Sequence, residues 1–125
     1  MRQLVSSGSP FEGQIGFSRA VRIGNLIEVS GTAPIKDGKT AGEGAYEQTM
    51  ACLDIIIKAV ESAGGKASDI IRTRIFLTDM SVWQDAARAH GEVFSEIRPA
   101  SSFIGTSELI NPEWLVEIEA TAYLG

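Results

Sequence analysis

Residues 115–123 (LVEIEATAY) alternate with a period of two. Leu115, Glu117, Glu119 and Thr121 fall on one face, and Val116, Ile118, Ala120 and Ala122 on the other. Successive side chains of a strand point to opposite faces, so the pattern predicts a half-buried strand. Glu117 and Glu119 on one face of it must meet water, a cleft or a partner, because an ionised carboxylate is costly to bury alone. Residues 102–106, which follow Pro99, predict a shorter strand.

From the N-terminus, residues 3–5 predict a short first strand. Residues 6–16, rich in Ser, Gly and Pro, predict a loop. Strands over 17–23 and 26–30 follow, joined through Gly24-Asn25 as a tight hairpin. Residues 32–44 predict a second loop, long for a small domain. Met50, Leu53, Ile56, Ile57 and Val60 recur at helical spacing and predict a helix over 46–63, stopped by Gly64-Gly65. Residues 70–77 predict a strand with Arg72, Arg74 and Phe76 on one face and Ile71, Thr73, Ile75 and Leu77 on the other. A second helix starts near Ser81, where Ser81 and Gln84 have capping-box spacing. Its buried stripe is Trp83, Ala87, His90, Phe94 and Val93 or Ile97, and Pro99 ends it.

Strands, helix, strand, helix, strands is an α+β order. The expected fold is a single domain over 1–125, a mixed β-sheet of about six strands with two helices packed on one face. The other face carries Arg72, Arg74, Glu117 and Glu119 beside apolar residues, and is left for solvent or for subunit partners.

Charge and cysteine content narrow the function. The formal net charge is −5 and no basic run exceeds two residues, which argues against a nucleic-acid partner. The one cysteine, Cys52, excludes an intrachain disulfide and fits a reducing compartment. The first residues lack the apolar core of a signal peptide, and no apolar run approaches the roughly 20 residues that span a bilayer. The expected location is cytoplasmic, with no membrane partner.

His90, the only histidine, lies on the predicted apolar stripe and reads as a packed, hydrogen-bonded side chain. One His and one Cys do not make a typical zinc site. Cys52, beside Leu53, reads as core. No Walker or dinucleotide fingerprint is present, and Gly42-Glu43-Gly44 does not sit between a strand and a helix. Neither a metal nor a cofactor is expected. Carboxylates and arginines remain. At the mouth of a cleft Glu117 can hold and activate a water, and partial burial would raise its pKa toward the general acid–base range. Its other reading is a solvated or ion-paired strand residue.

Pro99-Ala100, the loop after them and Val116-Glu117-Ile118-Glu119-Ala120 resemble the end of RidA (YjgF/YER057c/UK114) family proteins. The resemblance extends over nearly the whole chain, including residues 21–31 (VRIGNLIEVSG) and Thr78-Asp79-Met80. It implies a RidA/chorismate-mutase-like fold and a homotrimer whose sheets form a central barrel, with ligand clefts between subunits and no cofactor. Active members are enamine/imine deaminases. They hydrolyse reactive 2-aminoacrylate-type intermediates, released by pyridoxal-phosphate enzymes, to 2-keto acids and ammonia. Glu117 falls on the glutamate that positions the attacking water.

In the family pattern the carboxylate-binding arginine directly follows Pro-Ala. Here that position is Ser101, so the chain resembles a branch lacking this arginine. Replacing a bidentate charged contact by one hydroxyl costs on the order of 1.5–3 kcal/mol of binding. Arg74 or Arg88 would have to supply the positive charge, with Arg19 a third source; otherwise each is a surface or interface ion-pair residue. By the same resemblance Phe17 stands where a tyrosine closes over the ligand. Ser30 and Gly31 line the pocket, and Phe103 offers its backbone to the substrate.

The expected function is imine or enamine hydrolysis, or a variant acting on another small metabolite. A non-catalytic small-metabolite-binding or regulatory trimer is the rival favoured by the missing arginine. Endoribonuclease activity, a family association, is the third reading, and the acidic balance counts against it.

Overall fold

The C-terminal alternating segment becomes an interior strand. In the computed structural model, which describes residues 2–125, it is β8, Val116–Tyr123. The other elements are β1 Arg2–Val5, α1 Phe11–Ile15, β2 Ala20–Ile23, β3 Leu26–Thr32, β4 Ile35–Lys36, β5 Lys39–Thr40, α2 Ala45–Ser62, β6 Ile70–Leu77, α3 Trp83–Phe94 and β7 Ala100–Gly105. The six-stranded sheet runs β1-β2-β3-β8-β6-β7. Its pairs are antiparallel except β6 with β7, which α3 connects as a parallel crossover. The α+β reading holds.

Both long helices cover one face. Cys52, Leu53, Ile56 and Val60 of α2 and Ala86 and Phe94 of α3 bury against Ile27, Val29, Ile75, Leu77, Ile118, Ala120 and Ala122. The alternation of β6 and β8 puts Arg72, Arg74, Phe76, Glu117 and Glu119 on the opposite, uncovered face. Leu4, Ile23 and Leu26 are exposed on that same side. Among the described residues no helix is long and apolar enough to cross a membrane.

Several local expectations are corrected. The loop over 6–16 contains α1, and the loop over 32–44 contains the small hairpin β4–β5. Ile71 does not share the buried face of β6. The pairing with β8 shifts between Ile70 and Arg72, and Ile71 is half exposed. Ser81 is not the cap of the second helix. Asp79 accepts from both the Ser81 N–H (2.9 Å) and its hydroxyl (2.6 Å), opening a 3₁₀ turn, Met80–Val82, ahead of α3. The buried stripe of α3 is also rotated: Ala86 and Ala89 are buried, Ala87 is intermediate and Trp83 is exposed. Small residues sit where helices pack most closely on their neighbours, and hydropathy underweights alanine.

Gln48 ties the loop before β8 to the helix layer. Its side chain is 1 % exposed. Its Nε2 donates to the carbonyls of Gly42 (3.2 Å) and Glu113 (3.0 Å), and its Oε1 accepts from the Leu115 N–H (2.7 Å). Gln48→Leu would leave three backbone groups without these partners. The expected cost is about 3 kcal/mol of stability, or a melting point lower by on the order of 10 °C. Thermal denaturation followed by circular dichroism checks it.

Candidate functional site

The site begins with a bulge in β3. Val29 pairs with Ala120 and Thr32 with Ile118, so Ser30 and Gly31 together oppose Glu119. Such a bulge re-aims the backbone and strengthens the local twist. It presents Gly31 to the side chain of Glu117, and any Cβ at Gly31 would collide with that carboxylate. Glycine leaves the carboxylate its place here; a larger residue would push it aside.

Glu117 is half-buried. Burial raises its pKa above the usual glutamate value; Arg19 works against the shift and Glu119 adds to it. Arg19 is held behind the bulge. Its Nη1 donates to the Gly31 carbonyl (2.7 Å), to Thr32 Oγ1 (2.9 Å) and to the Ser30 carbonyl (3.4 Å). Its guanidinium carbon lies 5.5 Å from the centre of the Phe17 ring. Burial lowers the pKa of Arg19, with Glu12 and Glu117 opposing the shift. The Ser30 hydroxyl donates to the Ser18 carbonyl at 2.6 Å. Phe17, Ser30, Gly31 and Glu117 are thus assembled on one corner of the uncovered face, with Arg19 as the positive charge behind them.

Ser101 and Phe103 belong to a second cluster. In the parallel β6–β7 pair, Thr73 is the partner of Ser101 and Ile75 that of Phe103. Thr73 and Ile75 point to the helix-covered face, so Ser101 and Phe103 lie on that side of the edge strand. The Thr73 hydroxyl donates to Ser101 Oγ at 2.8 Å and lies 2.9 Å from His90 Nε2. The rings of His90 and Trp83 each lie 5.9 Å from that of Phe103. Ser101 and Glu117 therefore sit on opposite faces of the sheet, and a single chain does not bring them together.

The two alternative arginines are already engaged. Arg74 Nη1 is 3.3 Å from Glu119 Oε1, and the pair borders a shallow recess of about 300 Å³ shared with Glu28 and Ser30. Arg88 lies 4.0 Å over the Tyr46 ring and 3.9 Å from Glu92. Arg72 donates to Ser102 Oγ at 2.8 Å. His90 is packed and hydrogen-bonded as expected, its ring 4.6 Å from that of Phe94. Cys52 is fully buried, and burial pushes its thiol pKa upward, which keeps it unreactive.

Sequence reasoning named Arg19 only as a spare charge and missed Thr73. Arg19 stands just ahead of β2, and its place depends on a bulge that no periodicity reveals. Thr73 stands in an aliphatic row with Ile75 and Leu77, and that polar interruption was the available signal.

The family model described as Endoribonuclease L-PSP matches residues 9–124. An uncharacterized protein of Streptomyces coelicolor is 36% identical over 122 residues, covering 97% of this chain and 91% of its own length. A RutC family protein of Pyrococcus abyssi is 30% identical over 109 residues, covering 86% and 85%. Among solved structures, a Mycobacterium tuberculosis protein described as a member of the YjgF/YER057c/UK114 family superposes with a TM-score of 0.92 at 44% identity, covering 99% of this chain and 100% of that one. The YjgF gene product of E. coli superposes with a TM-score of 0.82 at 26% identity, covering 96% and 92%. Together with the bulged Ser30-Gly31 and the Glu117 strand, these matches mean that the chain belongs to the RidA (YjgF/YER057c/UK114) family.

Proposed function

We propose that the protein hydrolyses small reactive imines and enamines of the 2-aminoacrylate type to 2-keto acids and ammonia, in clefts formed between copies of the chain in a homotrimer. The observation that carries this reading is the half-buried Glu117 carboxylate, seated on Gly31 with its pKa raised by burial. A carboxylate in that state accepts a proton from water more readily than an exposed one. The enamine tautomerises to the imine. Water adds to the C=N carbon as Glu117 takes one proton and returns it to the nitrogen, giving a carbinolamine. The hydroxyl proton then passes to the nitrogen as the C–N bond breaks, so that ammonia leaves and the C=O of the keto acid forms. No cofactor enters these steps.

The placing of Ser101 and Glu117 on opposite sheet faces supports the cleft between copies. One copy offers Glu117, Gly31, Ser30 and Phe17, and a neighbour offers Ser101 and Phe103. The exposed Leu4, Ile23 and Leu26 give the uncovered face apolar area for such a partner. With Arg74 held by Glu119 and Arg88 by Tyr46 and Glu92, the proposed grip on the substrate is the Ser101 hydroxyl together with backbone groups.

The test is a coupled assay in which a serine dehydratase generates 2-aminoacrylate and keto-acid release is followed. The protein is expected to accelerate release. Ser101→Arg is expected to tighten binding of carboxylate substrates by roughly tenfold or more, because a bidentate charged contact replaces one hydroxyl. No acceleration by either protein would overturn the hydrolase reading.

A second reading, a non-catalytic metabolite-binding trimer, is favoured by Ser101 standing where the family pattern has its carboxylate-binding arginine. It predicts ligand binding without turnover in the same assay, and turnover only in Ser101→Arg.

A further inference from the structure

Ser101 is exposed, yet its hydroxyl is not free to turn. It is fixed by Thr73, whose side chain is 0 % exposed, and Thr73 is fixed by His90. The three residues come from three elements, β7, β6 and α3. The His90 ring is itself wedged between the rings of Phe94 and Phe103.

Each hydroxyl has one proton, so the two contacts run in one of two senses, set by the His90 tautomer. With the proton on Nε2, His90 donates to Thr73, Thr73 donates to Ser101 Oγ, and the Ser101 proton is left to point outward. With Nε2 bare, Ser101 donates inward instead. Burial holds His90 below its usual pKa, which keeps the imidazole neutral. In the first sense the chain ends in one oriented donor and contains no formal charge.

We propose that His90, Thr73 and Ser101 form an uncharged hydrogen-bond relay that presents Ser101 as a fixed donor to a ligand oxygen, so that the cleft takes neutral 2-imino and 2-keto amides as readily as the corresponding acids. This rests on the reading above only in placing Ser101 in the cleft. A guanidinium at this position would select for a carboxylate. A neutral hydroxyl bonds a carboxylate oxygen more strongly than a carboxamide oxygen, but the carboxylate is also costlier to strip of water, and with no counter-charge on the protein side that cost offsets the stronger bond. His90 and Thr73 act through Ser101 and are positioning residues.

Binding of two non-reacting keto analogues, 2-oxobutyrate and 2-oxobutanamide, measured by calorimetry, separates this proposal from the hydrolase reading because no turnover is involved. The unmodified protein is expected to bind the two within about threefold of each other. Thr73→Val keeps the buried volume, removes the link, and is expected to weaken both about tenfold, the size of one oriented hydrogen bond. His90→Leu should do the same. His90→Gln, whose amide can still donate toward Thr73, should recover much of the loss, which a purely structural role would not produce. Ser101→Arg should shift preference to the acid by tenfold or more. A tenfold preference of the unmodified protein for the acid overturns the proposal. So do unchanged affinities in a folded Thr73→Val, or failure to bind either ligand, whatever the deaminase assay returns.

Discussion

Glu117→Gln is expected to lower the rate of imine hydrolysis by about 10²–10⁴-fold, the range associated with loss of a positioned general base. The substitution keeps the shape and one hydrogen-bond acceptor, and removes the group that takes the proton from water. Substrate binding should change much less than turnover, because the lost interaction forms as the water attacks. The pH profile gives a second reading of the same group. Glu117 works as a base when ionised, so activity should fall in acid through a pKa above 4.5, in the direction set by burial. Stability should move the opposite way. The folded-state pKa lies above the unfolded value, so the contribution of this group is fully present below the unfolded pKa and is lost as pH rises through the folded one. Glu117→Gln should therefore melt higher than the unmodified protein at pH 7. The two should converge below about pH 4.5, the ordinary glutamate value. Equal melting points across that window would show that the carboxylate costs the fold nothing and is not held under strain for catalysis.

The second large effect is expected at Gly31, and it should separate activity from stability. A methyl group at residue 31 meets first the outer oxygen of Glu117, and only then its Cδ at 3.3 Å. That oxygen is the end of a flexible side chain, which can swing aside at small cost. The same displacement carries the carboxylate away from its place on the bulge. Misplacing a reactive group by about 1 Å costs on the order of 10²-fold in rate. Gly31→Ala is thus expected to lose about 10²-fold in turnover while its melting point changes little. In a Glu117→Gln background the same substitution should cost almost nothing further in rate, because both changes act on one group. The coupled assay and thermal melts of the two single variants and the double variant decide it. Additive losses would place the role of Gly31 elsewhere than in seating Glu117.

The reading of the chain divides by the distance over which each signal acts. The strand of Glu117 and the hairpin at Gly24-Asn25 were legible because period-two alternation and turn chemistry are local. The end of the first helix was legible for a similar reason, since Gly64 adopts a positive φ of 99° that only glycine takes easily. The rotation of α3 was not legible. Ala86 and Ala89 face the core while Trp83 is exposed, and small residues carry little hydrophobic signal however deeply they pack. The cap on Asp79, where Ser81 has the motif spacing, turned on an extra 3₁₀ turn. The bulge at Ile71 depends on pairing with a strand some fifty positions away.

By itself the sequence determined the α+β class, the charged uncovered sheet face and the family. Each of these is written in residue type and spacing along one stretch of chain. Only the tertiary structure decided that Ser101 and Glu117 lie on opposite faces of the sheet, because facing is set by the register between β6, β7 and β8. It alone seated the Glu117 carboxylate on Gly31 through the bulge in β3. It alone joined His90, Thr73 and Ser101, three residues separated in sequence whose hydroxyl and imidazole groups meet only when α3 packs across the parallel pair. Contacts of that kind follow from strand pairing and helix packing between distant segments, and no local pattern encodes them.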